Sequence, residues 1–234
     1  MSCEVHLAAY TPEPSRVVAS AAKLCYSASS ATDLFSGLDE TKTGEFLRKL
    51  ASVGHFSPFE HASFTFAVDG LSRVASHQLV RHRVASFSQQ SQRYVVMGAP
   101  KAVIPPEVAR IPEAAAIFSE QVRSAHRTYG RLVELGVPKE DARFILPHGW
   151  ETSLMITMNA RELRHFFALR LCRRAQWEIR DLARKMLTLV REAALELFDP
   201  AGPTCLTDGR CREAQSCGRP FASVEELTER QNTD

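Results

Sequence analysis

The stretch Phe64-Thr65-Phe66-Ala67-Val68-Asp69-Gly70 indicates the fold class, because large apolar residues occur at every second position before Asp69-Gly70. This period of two predicts a half-buried strand that ends at Asp69-Gly70. A second strand is predicted over residues 152–158. Long helical patterns surround both strands and do not follow a regular βαβ order. We therefore predict an α+β fold with a central twisted, mainly antiparallel sheet flanked by long helices.

The helices are predicted from 3.6-residue periodicity and from residues that favour helix ends. Ser15 and Ser72 are expected as N-caps, and Pro112 is expected at the first position of a helix that Gly136 closes. Residues 84–96 are rich in Ser and Gln, so this segment is predicted to be extended or irregular. The other predicted helices cover residues 45–53, 138–146 and, without a break, 160–198.

The composition is that of a globular protein, with 44% hydrophobic and 24% charged residues among 234. We see no linker, so a single domain is predicted over residues 1–222, with a cysteine-containing region from about residue 200 and a polar tail over 223–234. No apolar run approaches the roughly 20 residues of a membrane helix, and the first residues lack the pattern of an export signal. We therefore expect a cytoplasmic protein with no membrane partner.

Residues 70–106 form an acid-free stretch, since they contain no Asp or Glu. The net charge of +2 gives no general ground for binding nucleic acid, but this stretch combines basic residues with short hydrogen-bond donors and apolar residues. Partly buried guanidinium groups need partners, and a phosphate or a ring carbonyl can supply them. The composition favours a site for a phosphorylated ligand, and a solvated basic face is the alternative. The basic residues are Arg73, Arg81, Arg83, Arg93 and Lys101.

Part of the acid-free stretch matches a family signature. The run Arg81-His82-Arg83-Val84-Ala85-Ser86-Phe87-Ser88-Gln89-Gln90-Ser91-Gln92-Arg93 resembles the signature of flavin-dependent thymidylate synthases, in which Arg-His-Arg is followed by two spaced serines and an arginine. Supporting matches occur in the family's order, so the resemblance covers about residues 50 to 180. These matches lie at 54–61, 142–147, 159–161 and 175–179.

The resemblance implies a homotetramer whose active sites are shared between subunits and hold FAD, dUMP and 5,10-methylenetetrahydrofolate. In that family NADPH reduces the flavin, which passes a hydride to the pyrimidine. The product is dTMP, and the folate leaves as tetrahydrofolate. The implied activity is that of a methyltransferase that needs no cysteine nucleophile.

The resemblance also implies roles for individual residues. Ser91 and Arg93 match positions that hold the phosphate, and Ser57 matches a contact made from a neighbouring subunit. The implied FAD contacts are Ser57, Arg81, His82, Arg83, Gln89, Asn159, Arg161 and His165. The implied contacts with dUMP or folate are His55, Gln78, Leu79, Val80, Arg81, Gln89, Gln90, Ser91, Gln92, Arg93, Arg143 and Arg170. The chain departs from many or some members of the family at Ser88, Gln89, His165 and Arg174, where those members carry Asn, Glu, Asn and His.

Arg170 is the implied catalytic residue. A buried guanidinium beside the N3/O4 edge of uracil would stabilise negative charge as it develops on the ring. The helical spacing of Arg170 from Leu163 and Phe166 predicts that it faces inward. The alternative role is a structural salt bridge with Glu162, Glu178 or another acid.

The acid-free stretch also suggests two alternative functions. An RNA-binding module would use Phe87 and Tyr94 as stacking platforms and would bind oligonucleotides with a steep salt dependence. A phosphate-ester enzyme without flavin would need paired carboxylates or a metal near the arginines, and the acid-free stretch offers neither. We therefore expect no nucleic-acid partner.

Two groups of residues contain metal-binding residue types, but the prediction includes no metal site. His55, Glu60 and His61 lack the i, i+4 spacing of a helical zinc pair. One set of cysteines is expected to be reduced thiols, with a zinc site as the alternative. The spacing of these cysteines is looser than that of a zinc knuckle. These cysteines are Cys172, Cys205, Cys211 and Cys217.

Overall fold

The computed structural model describes residues 3–38 and 40–228, and its central feature is a four-stranded antiparallel sheet. The strands have the order β1-β2-β4-β3, so β2 and β4 are neighbours although they are distant in sequence. The hydroxyl groups of Thr65 and Thr157 lie 2.9 Å apart and link these two strands. The strands are β1 (Glu4–Tyr10), β2 (Ser63–Ser72), β3 (Ala85–Gln89) and β4 (Glu151–Asn159). The predicted α+β class is confirmed.

Both central strands bury every second side chain, as the sequence pattern predicts. In β2 the buried positions include Phe64, Phe66 and Val68. The predicted end of this strand at Asp69-Gly70 is wrong, because β2 continues to Ser72. Gly70 has a φ of 73°, and a residue without Cβ tolerates this local distortion while the strand continues.

Helices make up most of the remaining chain. They are α1 (Pro14–Leu24), α2 (Ala31–Ser36), α3 (Glu40–Ser52), α4 (Arg73–Leu79), α5 (Pro106–Ala109), α6 (Pro112–Glu134), α7 (Lys139–Ala142), α8 (Ala160–Arg170), α9 (Trp177–Phe198), α10 (Thr204–Thr207) and α11 (Val224–Thr228). Short 3₁₀ turns lie at Ser57–His61 and Arg143–Ile145. No helix within the described ranges has both the length and the apolarity needed to cross a membrane.

The predicted helix ends are partly confirmed. The Ser72 hydroxyl accepts a hydrogen bond from Ala75 N and caps α4, and Pro112 begins α6. The predicted Ser15 cap is wrong, because α1 begins at Pro14 and the Ser15 hydroxyl instead donates to Glu196.

The continuous helix predicted over 160–198 is wrong, because α8 ends at Arg170 and α9 begins at Trp177. The side chain of Gln176 accepts hydrogen bonds from Glu178 N and Ile179 N, which caps α9 and separates it from α8.

The predicted polar tail also contains an unexpected element. Residues 224–228 form α11, and its Val224 and Leu227 are buried. The rest of the tail, 229–234, lies outside the described residues.

The chain forms two compact units. Unit 1 comprises Met1–Glu4, Val68–Arg81 and Phe87–Met155, and unit 2 comprises Val5–Ala67, His82–Ser86 and Ile156–Asp234. Unit 1 has a core around Val122, Tyr129 and Trp150. In unit 2, the rings of Phe64 and Phe167 both pack against Phe198. The single domain expected over residues 1–222 stays a prediction.

Candidate functional site

Gln89 is held inside unit 1 at the end of β3. Its side-chain amide nitrogen donates to Ser76 Oγ at 3.1 Å and to Thr152 Oγ1 at 3.3 Å. The next residue is fixed by its backbone, because Gln90 N donates to Ser153 O and Gln90 O accepts from Arg73 Nη2. Since both amide protons of Gln89 are used within the protein, a ligand at Gln89 would meet the amide oxygen, which is an acceptor.

The segment expected to hold phosphate forms a turn after β3. Ser91 Oγ accepts a hydrogen bond from Arg93 N, and Ser91 O accepts one from Val95 N. Arg93 is exposed, and its Nε lies 2.6 Å from Glu140 Oε2. Arg93, a member of the acid-free stretch, is therefore paired with a carboxylate that lies outside this stretch in the sequence.

Arg73 and Arg143 add positive charge in unit 1. Arg143 is half-buried, and burial followed by the charge of Arg143 lowers the pKa of Arg73. Arg73 Nε is buried without a hydrogen-bond partner among residues 3–38 and 40–228. Two like charges held close together, one with an unsatisfied donor, suit an anionic ligand.

The end of α4 presents the other unit 1 residues that the resemblance selects. Gln78 is half-buried, whereas Val80 and Arg81 are exposed. The Leu79 side chain is completely buried in the core, so only its backbone is available to a ligand.

In unit 2, His82, Glu162 and Arg170 form a connected group of three side chains. Arg170 is half-buried at the end of α8, and its Nε donates to His82 Nε2 at 3.0 Å. His82 Nδ1 lies 3.0 Å from Glu162 Oε1. His82 and Glu162 are buried, with exposed fractions of 4% and 8%. Arg170 therefore reaches Glu162 through the His82 ring, a contact that neither sequence interpretation of Arg170 included.

Burial shifts the pKa of two members of this group, His82 and Arg170. Burial is the largest cause that lowers the pKa of His82, the charge of Arg170 lowers it further, and the hydrogen bond with Glu162 opposes both effects. Burial also lowers the pKa of Arg170. The lowered pKa of His82 favours its neutral form.

The remaining flavin-contact candidates of unit 2 lie on exposed or half-buried positions. Asn159 Oδ1 accepts from Glu162 N and caps α8, and Arg161 forms an ion pair with Glu60. His165 is exposed on α8 with its ring centroid 5.8 Å from that of His82. The other flavin-contact candidates, Ser57 and Arg83, are exposed, and His55, which is expected to contact dUMP or folate, is half-buried.

The cysteines are free thiols. Burial is the main cause that raises the pKa of Cys172, and the neighbouring charges of Glu213, Cys217 and Cys205 act in the same direction. Within the part of the chain that the structure describes, no group of three or more His, Cys, Asp or Glu side chains is arranged to hold a metal.

Comparisons with known proteins agree with the resemblance described above. Residues 6–194 match the family model described as "Thymidylate synthase complementing protein". A flavin-dependent thymidylate synthase of Geobacter sulfurreducens is 50% identical over 220 residues, which cover 92% of this chain and 94% of the relative. A protein of the same name from Clostridium tetani is 45% identical, with 94% of each chain covered.

A solved structure shows the same fold. The UMP/dUMP methylase PolB from Streptomyces cacaoi, crystallised with 5-Br dUMP, matches with a TM-score of 0.72 and 27% identity. The match covers 85% of this chain and 94% of that chain. The family model, the relatives and the solved structure each match most of the chain. The chain therefore belongs to the flavin-dependent thymidylate synthase family.

Proposed function

We propose that this chain is a transferase that converts dUMP into dTMP by reductive methylation, with 5,10-methylenetetrahydrofolate as carbon donor and tetrahydrofolate as the folate product. The observation that carries the proposal is the half-buried Arg170 guanidinium, held by a buried histidine and carboxylate in a chain of this family. A donor group fixed in this way is suited to stabilise negative charge that develops on a pyrimidine ring.

The residues present fit the flavin nucleotide FAD. The exposed guanidinium groups of Arg81 and Arg83 make no hydrogen bond or ion pair with any residue that the structure describes, so both can bind the negatively charged pyrophosphate. Reduced by NADPH, bound FAD supplies the hydride. Asn159, Arg161 and His165 are the further flavin contacts that we propose, together with Ser57 and His82.

Most of the residues proposed to bind dUMP belong to unit 1. Ser91, Arg93 and Arg143 hold the phosphate, and the charge of Arg73 supports binding there. The Gln89 amide oxygen accepts a hydrogen bond from a ligand, either the pyrimidine or the flavin. The other proposed contacts with dUMP or folate are His55, Gln78, the backbone of Leu79, Val80, Arg81, Gln90 and Gln92.

We also propose a homotetramer with active sites at subunit interfaces. Large apolar side chains in unit 1 support this assembly, since Tyr94 is 69% and Phe144 85% exposed. Light scattering of the purified protein tests the subunit number. The cytoplasm is the proposed compartment, and the six free cysteines are consistent with its reducing environment.

The first experiment is an absorbance spectrum of the purified protein, followed by measurement of NADPH oxidation with and without dUMP. We expect a flavin spectrum, faster NADPH oxidation with dUMP, and dTMP only when 5,10-methylenetetrahydrofolate is present. A colourless protein that neither takes up added FAD nor oxidises NADPH would refute the proposed function.

Replacing Glu140 by glutamine tests the phosphate-binding role of Arg93. In the present structure Arg93 pairs with Glu140, so dUMP phosphate must compete with this carboxylate for the guanidinium. Because exposed ion pairs contribute about 0.2–1 kcal/mol, Glu140→Gln should lower the dUMP KM by a factor of about 1.4 to 5 and leave kcat unchanged. Steady-state kinetics at low ionic strength measure the effect.

The matched control is Glu134→Gln, because Glu134 also forms an exposed ion pair, with Arg131 in α6. It should leave the dUMP KM unchanged. A higher KM in Glu140→Gln would show that Glu140 orients Arg93, and an unchanged KM would argue against phosphate binding by Arg93.

A further inference from the structure

We propose that Glu162 is a positioning residue for Arg170 and acts through the ring of His82. This inference rests on the proposed function, because it concerns how Arg170 is presented to dUMP. It starts from the contacts that join the three side chains: Arg170 Nε to His82 Nε2, and His82 Nδ1 to Glu162 Oε1, both at 3.0 Å.

The hydrogen-bond chemistry determines which nitrogen of His82 carries the proton. A guanidinium group can only donate, so His82 Nε2 must accept the bond from Arg170 Nε. A neutral imidazole has a single N–H, which is then at Nδ1 and donates to Glu162. The Glu162 carboxylate thus selects the only neutral tautomer of His82 that can bind Arg170.

Protonation of His82 would break this arrangement. Imidazolium carries N–H groups at both nitrogens, so its Nε2–H would face the Nε–H of Arg170. The charged and titratable groups that face His82 are Glu162, Arg170 and His165, all in α8. Of these, only Glu162 raises the pKa of His82, while burial, Arg170 and His165 lower it.

The contact also fixes the direction of the Arg170 side chain. Arg170 is the last residue of α8, where the helix imposes little on a long side chain. Its bond to His82 is made by Nε, which lies in the guanidinium plane, so this bond orients the whole planar group. Without Glu162, His82 can turn or change tautomer, and Arg170 loses this constraint.

The activity test compares Glu162→Gln with the wild type. We expect kcat to fall by about 10- to 100-fold, as is found when partners that orient metal-binding histidines are lost, with the dUMP KM changed less than about threefold. The acid limb of the kcat profile should move to lower pH, because the variant lacks the one group that raises the pKa of His82. Glu162→Asp, which keeps the carboxylate, should recover part of kcat and show an acid limb near that of the wild type.

The matched control is Asp181→Asn, because Asp181 is a half-buried carboxylate of unit 2 whose oxygens pair with Arg184 and Lys185 on its own helix, α9. Any loss of activity that comes only from a weakened fold should appear in both variants and leave the acid limb in place. If Glu162→Gln resembles Asp181→Asn in kcat and in pH profile, the inference is wrong.

A second readout does not depend on activity. Histidine side-chain ¹⁵N spectra of the protein without dUMP, assigned with His82→Asn, should show His82 protonated at Nδ1 and unprotonated at Nε2. In Glu162→Gln this single tautomer should be lost. A wild-type His82 protonated at Nε2 would overturn the inference, whereas a wild type with the expected tautomer but no dTMP formation would refute only the proposed function.

Discussion

Replacing Arg170 by alanine should lower kcat for dTMP formation by about 10²–10³-fold, which is the usual loss when a preorganised donor to a developing negative charge is removed. The guanidinium is half-buried, and burial lowers its pKa, so its charge acts where water screens it less than at the surface. The effect should be larger on kcat than on the dUMP KM, since the charge develops mainly in the transition state.

Arg170→Lys tests whether a positive charge alone, without the shape of the guanidinium group, supports catalysis. Lysine keeps a positive charge but has neither the Nε bond to His82 nor a planar fork, so most of the activity should still be lost. Arg123→Ala is the control, because Arg123 lies on α6 in an exposed ion pair with Glu120 and should leave kcat unchanged. The flavin spectrum and circular dichroism show whether each variant is folded. An Arg170→Ala enzyme within threefold of wild-type kcat would remove Arg170 from catalysis.

The elements that could be predicted from the sequence are those in which regularly spaced apolar residues form one buried face. Strands β2 and β4 and helix α6 have such faces. Strand β1, Glu4–Tyr10, was missed because most of its side chains are exposed or half-buried, so burial leaves little periodicity in its sequence. The break between α8 and α9 was missed because residues 171–176 contain neither Gly nor Pro, and a single cap by Gln176 separates the helices.

The candidate site was predictable where a local motif marks it and not where distant segments meet. His82 and Arg170 belong to motifs, and the structure places them in hydrogen-bond contact. Glu162 and Glu140 carry no such mark, because their partners His82 and Arg93 are far away in sequence and only the folded chain brings them together. One alternative for Arg170 was a salt bridge with Glu162, and the structure instead connects these two residues through the ring of His82.

Arg164→Ala should be the most destabilising of the substitutions considered for this chain, because Arg164 binds the backbone where α9 ends. Its Nη1 donates to Leu197 O and its Nη2 to Pro200 O, both at 2.7 Å. Its guanidinium also lies 5.1 Å from the Phe56 ring centroid and 5.7 Å from that of Phe59. Burial lowers the pKa of Arg164 to about 10, so these bonds and ring contacts offset a desolvation cost at neutral pH.

Alanine removes both donors and leaves two carbonyl groups without their partners. Hydrogen bonds from charged groups contribute about 1.5–3 kcal/mol each to the free energy of unfolding. Removing the guanidinium also removes the cost of desolvating its charge. We therefore expect the free energy of unfolding to fall by about 3 kcal/mol. For a protein of this size that corresponds to a Tm lower by about 6–12 °C. Thermal unfolding followed by circular dichroism measures it, with Arg123→Ala as the exposed-arginine control, expected within about 1 kcal/mol of wild type. Equal melting temperatures for the two variants would mean that water replaces the guanidinium at Leu197 and Pro200, and that the end of α9 is held by its apolar contacts alone.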